Sequence, residues 1–202
     1  MQIARQWTRF DHHVLEGLLG LGVLLAGVFG ALVPLLGVTG PLPAADTRMV
    51  DIDGRAQVPG SPASGGMVLR GTHHAELALS DPDFGERLLL AGPGIVRSLL
   101  IAWVLYTLMR MAQTLRQGDV FVPANTRRLG RVAAGVLLVG TAVPLLDTLT
   151  TDGLVGGTPL DPAVRDVYAP SLGAVLLALL VFAAAGAFGH GTRLRADTEG
   201  LV

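Results

Sequence analysis

The segment LRQGDVFVPANTRRLGRV, residues 115–132, is a short charged connection between two long apolar runs. It holds four of the fifteen arginines of the chain and its single asparagine, Asn125. Gly118 favours a left-handed stop at the end of one helix, and Pro123 suits the first turn of the next. The segment therefore predicts a tight turn between two helices, with a group of arginines at one end of both.

Composition indicates the class of protein to which this turn belongs. Hydrophobic residues make up 50% of the 202 residues and charged residues only 15%, whereas soluble domains carry about 25% charge. So little charge cannot solvate a whole surface, and we therefore expect a lipid bilayer to cover part of it. The net charge of −1 argues against a nucleic-acid binder, and we expect no direct contact with nucleic acid. The chain has no cysteine, which excludes disulfides, thiolate metal sites and cysteine nucleophiles.

Four apolar runs are long enough to cross a bilayer, which takes about 20 helical residues. The second run is the least clear, because only twelve residues separate Arg97 from Arg110. Extending it back to Leu88 gives the required length, and Arg97 near its end can reach the headgroups. We expect a single membrane domain, an all-α integral membrane protein built as a four-transmembrane-helix bundle. The predicted spans are residues 14–37, 88–110, 132–149 and 171–190.

Arginine asymmetry between these spans predicts their orientation. Basic residues concentrate before the first span and in segments 111–131 and 191–202, whereas segments 38–87 and 150–170 are mixed or acidic. With four spans, all the arginine-rich segments fall on one side, which is the cytoplasmic side, so both termini are expected to be cytoplasmic. A competing interpretation of the first span is a cleaved signal peptide, but its apolar run is longer than such peptides have.

Segment 38–87 mixes turn-rich and strand-like sequence. Ala75, Leu77 and Leu79 alternate with polar residues, which is the period of a half-buried strand. Asp81 is expected to cap the helix that follows. We predict a small β-rich extracytoplasmic insertion with one hairpin, which acts as a structural cap or as a ligand sensor. Because an isolated hairpin is only marginally stable in water, it should pack on the helices or on a partner.

Three stretches resemble one family of bacterial membrane proteins. LRQGDVFVPANTRRLGRVA, AELALSDPDFGERLLLAGPG and FGHGTRLRADTEGLV are similar to the domain of unknown function 2975, and the first is the most specific. The resemblance runs from about residue 66 to the end, together with an apolar first segment. It implies four spans in a bacterial inner membrane and supplies no activity. Such proteins are encoded in several bacteria beside a small helix-turn-helix regulator, which by analogy suggests that they sequester a transcription factor at the membrane.

Two ionisable residues lie inside the predicted spans, where charges are functional candidates by default. Arg97 lies about 20 Å along the second span from Arg110, and Asp147 lies about 24 Å along the third span from Arg131, at 1.5 Å per residue. Since consecutive antiparallel helices are neighbours, one hypothesis is an Arg97–Asp147 ion pair near the extracytoplasmic interface. The alternative is two separate interfacial residues that face water.

Polar and aromatic residues near the charged turn form a candidate cytoplasmic interaction surface. Its predicted members are Arg116, Asp119, Phe121, Asn125, Arg127, Arg128, Arg131, Glu16 and Arg193. The alternative role of these arginines is to fix the topology by contacting phosphate headgroups, at about 1 kcal/mol each.

A stripe of small residues in the first span is a second candidate contact. Gly22, Ala26 and Gly30 recur every four residues and therefore lie on one face of a helix, where they permit close approach of another helix. The stripe packs within the bundle or forms a homodimer.

No catalytic signature accompanies these residues. His12–His13 and His73–His74 are adjacent pairs, whose members do not share a face of a helix or a strand. No metal-binding motif and no nucleophile elbow occurs in the sequence. We therefore expect no catalytic, metal-binding or cofactor-binding residues and no enzyme activity.

The expected function is that of a regulatory or interaction protein, which presents its Arg-rich hairpin to a cytoplasmic partner such as a helix-turn-helix regulator. The alternative is an accessory subunit of a larger membrane complex, such as a transporter or a respiratory assembly.

Overall fold

Four helical stretches dominate the chain. A computed structural model describes residues 2–43, 45–55, 71–116, 123–165 and 167–199. The stretches that are long and apolar enough to cross a membrane are His13–Thr39, Phe84–Thr114, Pro123–Val155 and Leu172–Thr192. This confirms the prediction of four spanning helices, and the protein is a multi-pass membrane protein.

The first span changes its helical winding partway along. Helix α1 (Gln2–Gly27) leads into a π-helical turn (Val28–Leu32) and then into α2 (Val33–Thr39). Pro34, which has no N–H, occupies the second position of α2, and a proline ring clashes with the carbonyl one turn earlier. The wider π turn directly before it gives the proline room.

The other three spans are single long helices. They are α3 (Phe84–Arg116), α4 (Pro123–Val155) and α5 (Leu172–Glu199). All three extend beyond the predicted spans, since polar residues continue each helix past its apolar run. Helix α4 begins at Pro123, as the charged turn predicted. Residues 117–122 of that turn, including Gly118, lie outside the described part of the chain.

Helix α3 begins with a capping box that lies two residues later than the predicted cap. Asp83 Oδ1 accepts the backbone N–H of Glu86 at 2.8 Å, and Glu86 Oε2 accepts the backbone N–H of Asp83 at 2.9 Å. The two residues thus satisfy each other's free amide. Asp81 was predicted as the cap but instead has a left-handed backbone, with φ 58°, in the preceding turn.

A two-stranded antiparallel sheet joins the first two spans. Strands β1 (Thr47–Asp51) and β2 (His74–Ala78) pair with Val50 opposite Ala75. Val50 and Leu77 are buried together with Val155 at the end of α4. The predicted β-rich insertion is confirmed, and it packs on a helix as a small sheet needs to do.

The helices pack in the order of the chain. Helix α1 packs on α3, α3 on α4, and α4 on α5, whereas within the described residues α1 forms no comparable interface with α4 or α5. The bundle is therefore an open row. The small sheet lies at one end of this row, which we call the sheet end. At the opposite end α3 stops and α4 starts, and we call it the arginine end.

Glycines allow α4 to approach both of its neighbours closely. A Cβ atom added at Gly135 would lie 2.4 Å from Val104 Cγ2 of α3. One added at Gly140 would lie 2.4 Å from the Cβ of Ala174 in α5. Neither distance is sterically allowed, so the packing of α4 depends on the absence of side chains at these two positions.

The carbonyl of Gly140 also forms a hydrogen bond between helices. A proline removes the N–H that the carbonyl four residues earlier would accept, and Pro144 in α4 does this to Gly140. The backbone N–H of Ser171, just before α5, donates to this carbonyl at 2.8 Å. The defect in one helix thus fixes the start of the next.

Candidate functional site

At the sheet end, Arg48 of β1 reaches between α3 and α4. Its Nη1 donates to the hydroxyl of Thr150 at 2.8 Å and to the carbonyl of Leu89 at 3.2 Å. Its Nη2 donates to the carbonyl of Asp147 at 2.9 Å and forms an ion pair with the carboxylate of the same residue. The guanidinium offers five donors in a fixed planar arrangement. One side chain therefore ties the sheet to both central helices.

Pro93 explains why the carbonyl of Leu89 accepts this bond. Leu89 lies four residues before Pro93 inside α3, so its carbonyl has no helical donor. A buried carbonyl without a donor is unfavourable, and Arg48 supplies the missing donor. A break in the hydrogen bonding of α3 is thus the point where the strand attaches.

Asp147 therefore pairs with Arg48, which corrects the predicted Arg97–Asp147 pair. Gly135 of α4 lies beside Val104 of α3. Counting seven residues along each antiparallel helix places Arg97 level with residue 142, about 7.5 Å along the axis from Asp147 at 1.5 Å per residue. The side chain of Arg97 is exposed. The prediction treated the two spans as level at the arginine end and considered no arginine outside them.

The two members of the observed pair differ in exposure. The side chain of Arg48 is only 8% exposed, whereas that of Asp147 is 48% exposed. Burying a guanidinium is costly unless acceptors satisfy its charge and its N–H groups. Here two carbonyls, a hydroxyl and a carboxylate accept from it. The arginine is thus a structural anchor, and the aspartate keeps part of its carboxylate accessible.

The accessible side of Asp147 borders a small polar cleft. The cleft has a volume of about 110 Å³, and the residues around it include Asp51, His74, Asp147, Thr151 and Arg165. His74 Nδ1 lies 2.5 Å from Asp51 Oδ1, and His73 Nδ1 lies 3.1 Å from the carbonyl oxygen of Gly54. The adjacent histidines thus have separate partners. Within the described ranges, no group of three or more His, Cys, Asp or Glu residues comes together as a metal site would require.

At the arginine end, Asn125 and Arg128 of α4 bind the last turns of α3. Asn125 Oδ1 accepts from the hydroxyl of Thr114 at 3.0 Å and from Arg128 Nη1 at 3.0 Å. Arg128 Nη1 also donates to the carbonyl of Arg110 at 3.0 Å. Asn125 is only 1% exposed. We call Thr114, Asn125 and Arg128 the hairpin clamp, because they join the two helices across the charged turn.

The hairpin clamp divides the predicted interaction surface. Asn125 is buried and therefore does not belong to that surface, and Arg128 is half-buried and bonded to α3. Arg127 and Arg131 are exposed and lie four residues apart, on one face of α4. Glu16 is half-buried on α1. Asp119 and Phe121 lie outside the described residues, as do the side chains of Arg116 and Arg193.

The stripe of small residues in the first span faces α3. A Cβ atom added at Gly30 would lie 2.3 Å from Ser98 Oγ, and one added at Gly22 would lie 3.0 Å from Leu105 Cδ1. Ala26, between them, is half-buried. The stripe thus packs within the chain, which was the first of its two predicted roles. A homodimer through the same face would require α1 to separate from α3.

Sequence reasoning missed Arg48, although a signal for it was present. A proline inside a predicted span leaves a carbonyl that needs a donor from elsewhere. Pro93 and Pro144 therefore mark two such carbonyls through their positions in the apolar runs alone. The donors are the side chain of Arg48, outside the spans, and the N–H of Ser171, at the edge of one, and hydropathy does not indicate either.

No family model matches this chain, and no curated protein or solved structure is similar to it.

Proposed function

We propose that the protein is a non-enzymatic protein of the bacterial inner membrane that presents its arginine end to a cytoplasmic partner. In this proposal both termini and the α3–α4 connection are cytoplasmic, and the sheet is extracytoplasmic. The arginine asymmetry of the connecting segments supports this orientation. The resemblance to the domain of unknown function 2975 supports the bacterial membrane and suggests a small helix-turn-helix regulator as the partner.

The proposal depends on a difference between the arginines at the start of α4. Arg128 is bonded within the hairpin clamp, whereas Arg127 and Arg131 are exposed on one face. The clamp holds the start of α4 against α3, so both exposed guanidinium groups project from a fixed helix. Because the backbone of the helix is already ordered, binding orders only the two side chains. A partner with an acidic surface is complementary to this face, and such charges raise association rates and favour the correct partner.

Capture of partners by the intact membrane protein tests the proposal. The protein is crosslinked in cells, purified in mild detergent and compared with the double variant Arg127→Ala/Arg131→Ala. A matched control is Arg97→Ala/Arg165→Ala, which removes two exposed arginines elsewhere. We expect the native protein and the control to capture the same soluble partner and the first variant to lose it. Equal capture by both variants, or capture of no soluble partner by the native protein, would reject the proposal.

The open row of helices favours a second candidate function, that of an accessory subunit in a larger membrane complex such as a transporter or a respiratory assembly. Within the part of the chain that the structure describes, α5 has its one extensive interface with α4, and Leu176, Leu180 and Phe182 are more than 60% exposed. Lipid or another membrane subunit covers such a face. Co-migration of the native protein with a large assembly in mild detergent, unchanged in Arg127→Ala/Arg131→Ala, would favour this second function over the first.

A further inference from the structure

A groove between α4 and α5 at the arginine end combines apolar walls with a polar end. Its volume is about 360 Å³. The residues that line it include Thr126, Gly130, Phe182, Gly186, Gly189 and His190. Thr126 lies near the start of one span and His190 near the end of another. Because the two helices are antiparallel neighbours, the polar end of the groove lies at the headgroup level and its apolar part faces the acyl chains.

The groove exists because small residues leave space that no neighbouring side chain fills. A Cβ atom added at Gly130 or Gly186 would meet nothing within 4 Å. Nearer the sheet end the same interface is tight, since a Cβ at Gly140 would lie 2.4 Å from the Cβ of Ala174. The interface between α4 and α5 is therefore closed near Gly140 and open near Gly130.

The polar end of the groove contains a hydroxyl group without a partner. Thr126 Oγ1 is buried and, within the described residues, has no hydrogen-bond partner. Other helical threonines of this chain bond the carbonyl one turn earlier, as Thr107 and Thr141 do at 2.8 Å. A buried hydroxyl without a partner is unfavourable. Because the oxygen has almost no accessible surface, the side chain must rotate about χ1 for this hydroxyl to reach a molecule in the groove.

Positive charge flanks this hydroxyl. Arg127 and Arg131 each follow a groove residue by one position, so they lie about 100° further round α4. Both are exposed. His190 Nδ1 donates to the carbonyl of Gly186 at 3.0 Å, so the neutral imidazole presents Nε2 as an acceptor and adds no positive charge. Neither arginine lines the groove itself, but long basic side chains beside a groove between spans can reach a headgroup, and such surroundings favour an anionic lipid.

We propose that this groove binds one anionic glycerophospholipid. An acyl chain packs against Phe182 and the space left by Gly130 and Gly186, and the headgroup phosphate accepts a hydrogen bond from Thr126. Arg127 and Arg131 supply the positive charge that selects an anionic headgroup over a zwitterionic one. Because Arg127 and Arg131 are also the residues proposed to bind the protein partner, the two proposals are separated by filling the groove, which leaves both arginines in place.

Filling the groove provides the decisive experiment. The full chain is purified from bilayers that contain equal amounts of phosphatidylglycerol and phosphatidylcholine, and retained lipid is counted by native mass spectrometry. Gly130→Leu/Gly186→Leu places side chains in the groove without a backbone clash. Gly94→Leu/Gly173→Leu is the matched control, since a Cβ at these glycines also meets nothing within 4 Å. We expect one phosphatidylglycerol on the native protein and on the control, and none on the groove-filling variant. Equal retention by the two variants, or no preference of the native protein for phosphatidylglycerol, would overturn the proposal.

A second variant tests the polar end without changing the shape of the groove. Thr126→Val removes the hydroxyl and is expected to weaken the retention of phosphatidylglycerol by about three- to tenfold, the equivalent of one hydrogen bond. Arg127→Ala/Arg131→Ala should lower the preference for the anionic headgroup and leave an acyl chain bound. Unchanged affinity in Thr126→Val would contradict the proposed phosphate contact. Displacement of the lipid by inorganic phosphate alone would indicate a site for a free anion and would also overturn the lipid assignment.

Discussion

The guanidinium of Arg48 binds both the carboxylate and the main-chain carbonyl of Asp147. A residue of the small sheet thereby holds the third span near its end, and through the carbonyl of Leu89 it holds the second span as well. The sheet is therefore coupled to α3 and α4. A movement of β1 either breaks the hydrogen bonds of Arg48 or moves both helices with it. This contact links the segment outside the spans to the helices that lead to the arginine end.

Arg48→Ala is expected to lower the free energy of unfolding by about 2 kcal/mol, because several hydrogen bonds from a charged group are lost. This loss is smaller than that for breaking a fully buried ion pair, because the side chain of Asp147 is half exposed. A melting series in detergent measures the effect. Arg97→Ala is the matched control and should change the stability by less than about 0.5 kcal/mol, as an exposed substitution does. A larger effect of the control than of Arg48→Ala would contradict the assigned pairing.

Pro93→Ala should reduce the effect of Arg48→Ala. An alanine at residue 93 restores the N–H that the carbonyl of Leu89 lacks, so that carbonyl no longer depends on the guanidinium. In a double-mutant cycle the coupling between residues 48 and 93 is expected to be about 0.5 to 1.5 kcal/mol. Strictly additive changes in melting experiments would show that the carbonyl does not need Arg48.

Asn125→Leu should destabilise the arginine end although the new side chain is apolar and of similar size. It removes the acceptor shared by Thr114 and Arg128, and the loss of these hydrogen bonds, one of them from a charged group, costs about 1 to 3 kcal/mol. We expect faster proteolysis in the connection between α3 and α4, together with a lower melting temperature. Arg127→Ala, two positions along the same helix, should leave both unchanged. If Asn125→Leu is as resistant to protease as the native protein, the hairpin clamp does not stabilise this turn.

Gly30→Leu should separate α1 from α3, since even a Cβ atom there lies 2.3 Å from Ser98 Oγ. Overpacking of this kind costs about 1 to 3 kcal/mol. Gly27→Leu is the control on the same helix, because a Cβ at Gly27 meets nothing within 4 Å. The loss of melting temperature for Gly30→Leu should not depend on protein concentration. A concentration-dependent loss would indicate that the stripe forms a homodimer instead.

Single cysteines test the proposed orientation directly, because the native chain contains none. With the arginine end in the cytoplasm, Arg165→Cys should react with a membrane-impermeant thiol reagent in intact cells. Arg131→Cys should react only after the membrane is permeabilised. Both arginines are exposed, so access by the reagent is limited by the membrane and not by burial. The reverse pattern of labelling would invert the topology and remove the cytoplasmic partner.

Much of the architecture could be predicted from sequence because the bilayer sets simple requirements. A span needs about 20 apolar residues, and four such runs are visible in the chain. The alternation around Leu77 predicted a strand, which the structure confirms as β2. The candidate site was predicted less well. Asn125 was assigned to an exposed surface but is buried in the hairpin clamp, because a polar residue near a charged turn gives no sign of which helix it faces.

The sequence by itself determined the four spans and, within the second and third of them, two carbonyls that lack helical donors, at Leu89 and Gly140, since each lies four residues before a proline. The tertiary structure decided which groups satisfy them. The N–H of Ser171 reaches one and the side chain of Arg48 reaches the other. These pairings depend on the register of packed helices and on the path of the connecting segments. Both result from contacts between residues far apart in the chain, which hydropathy and local spacing do not encode.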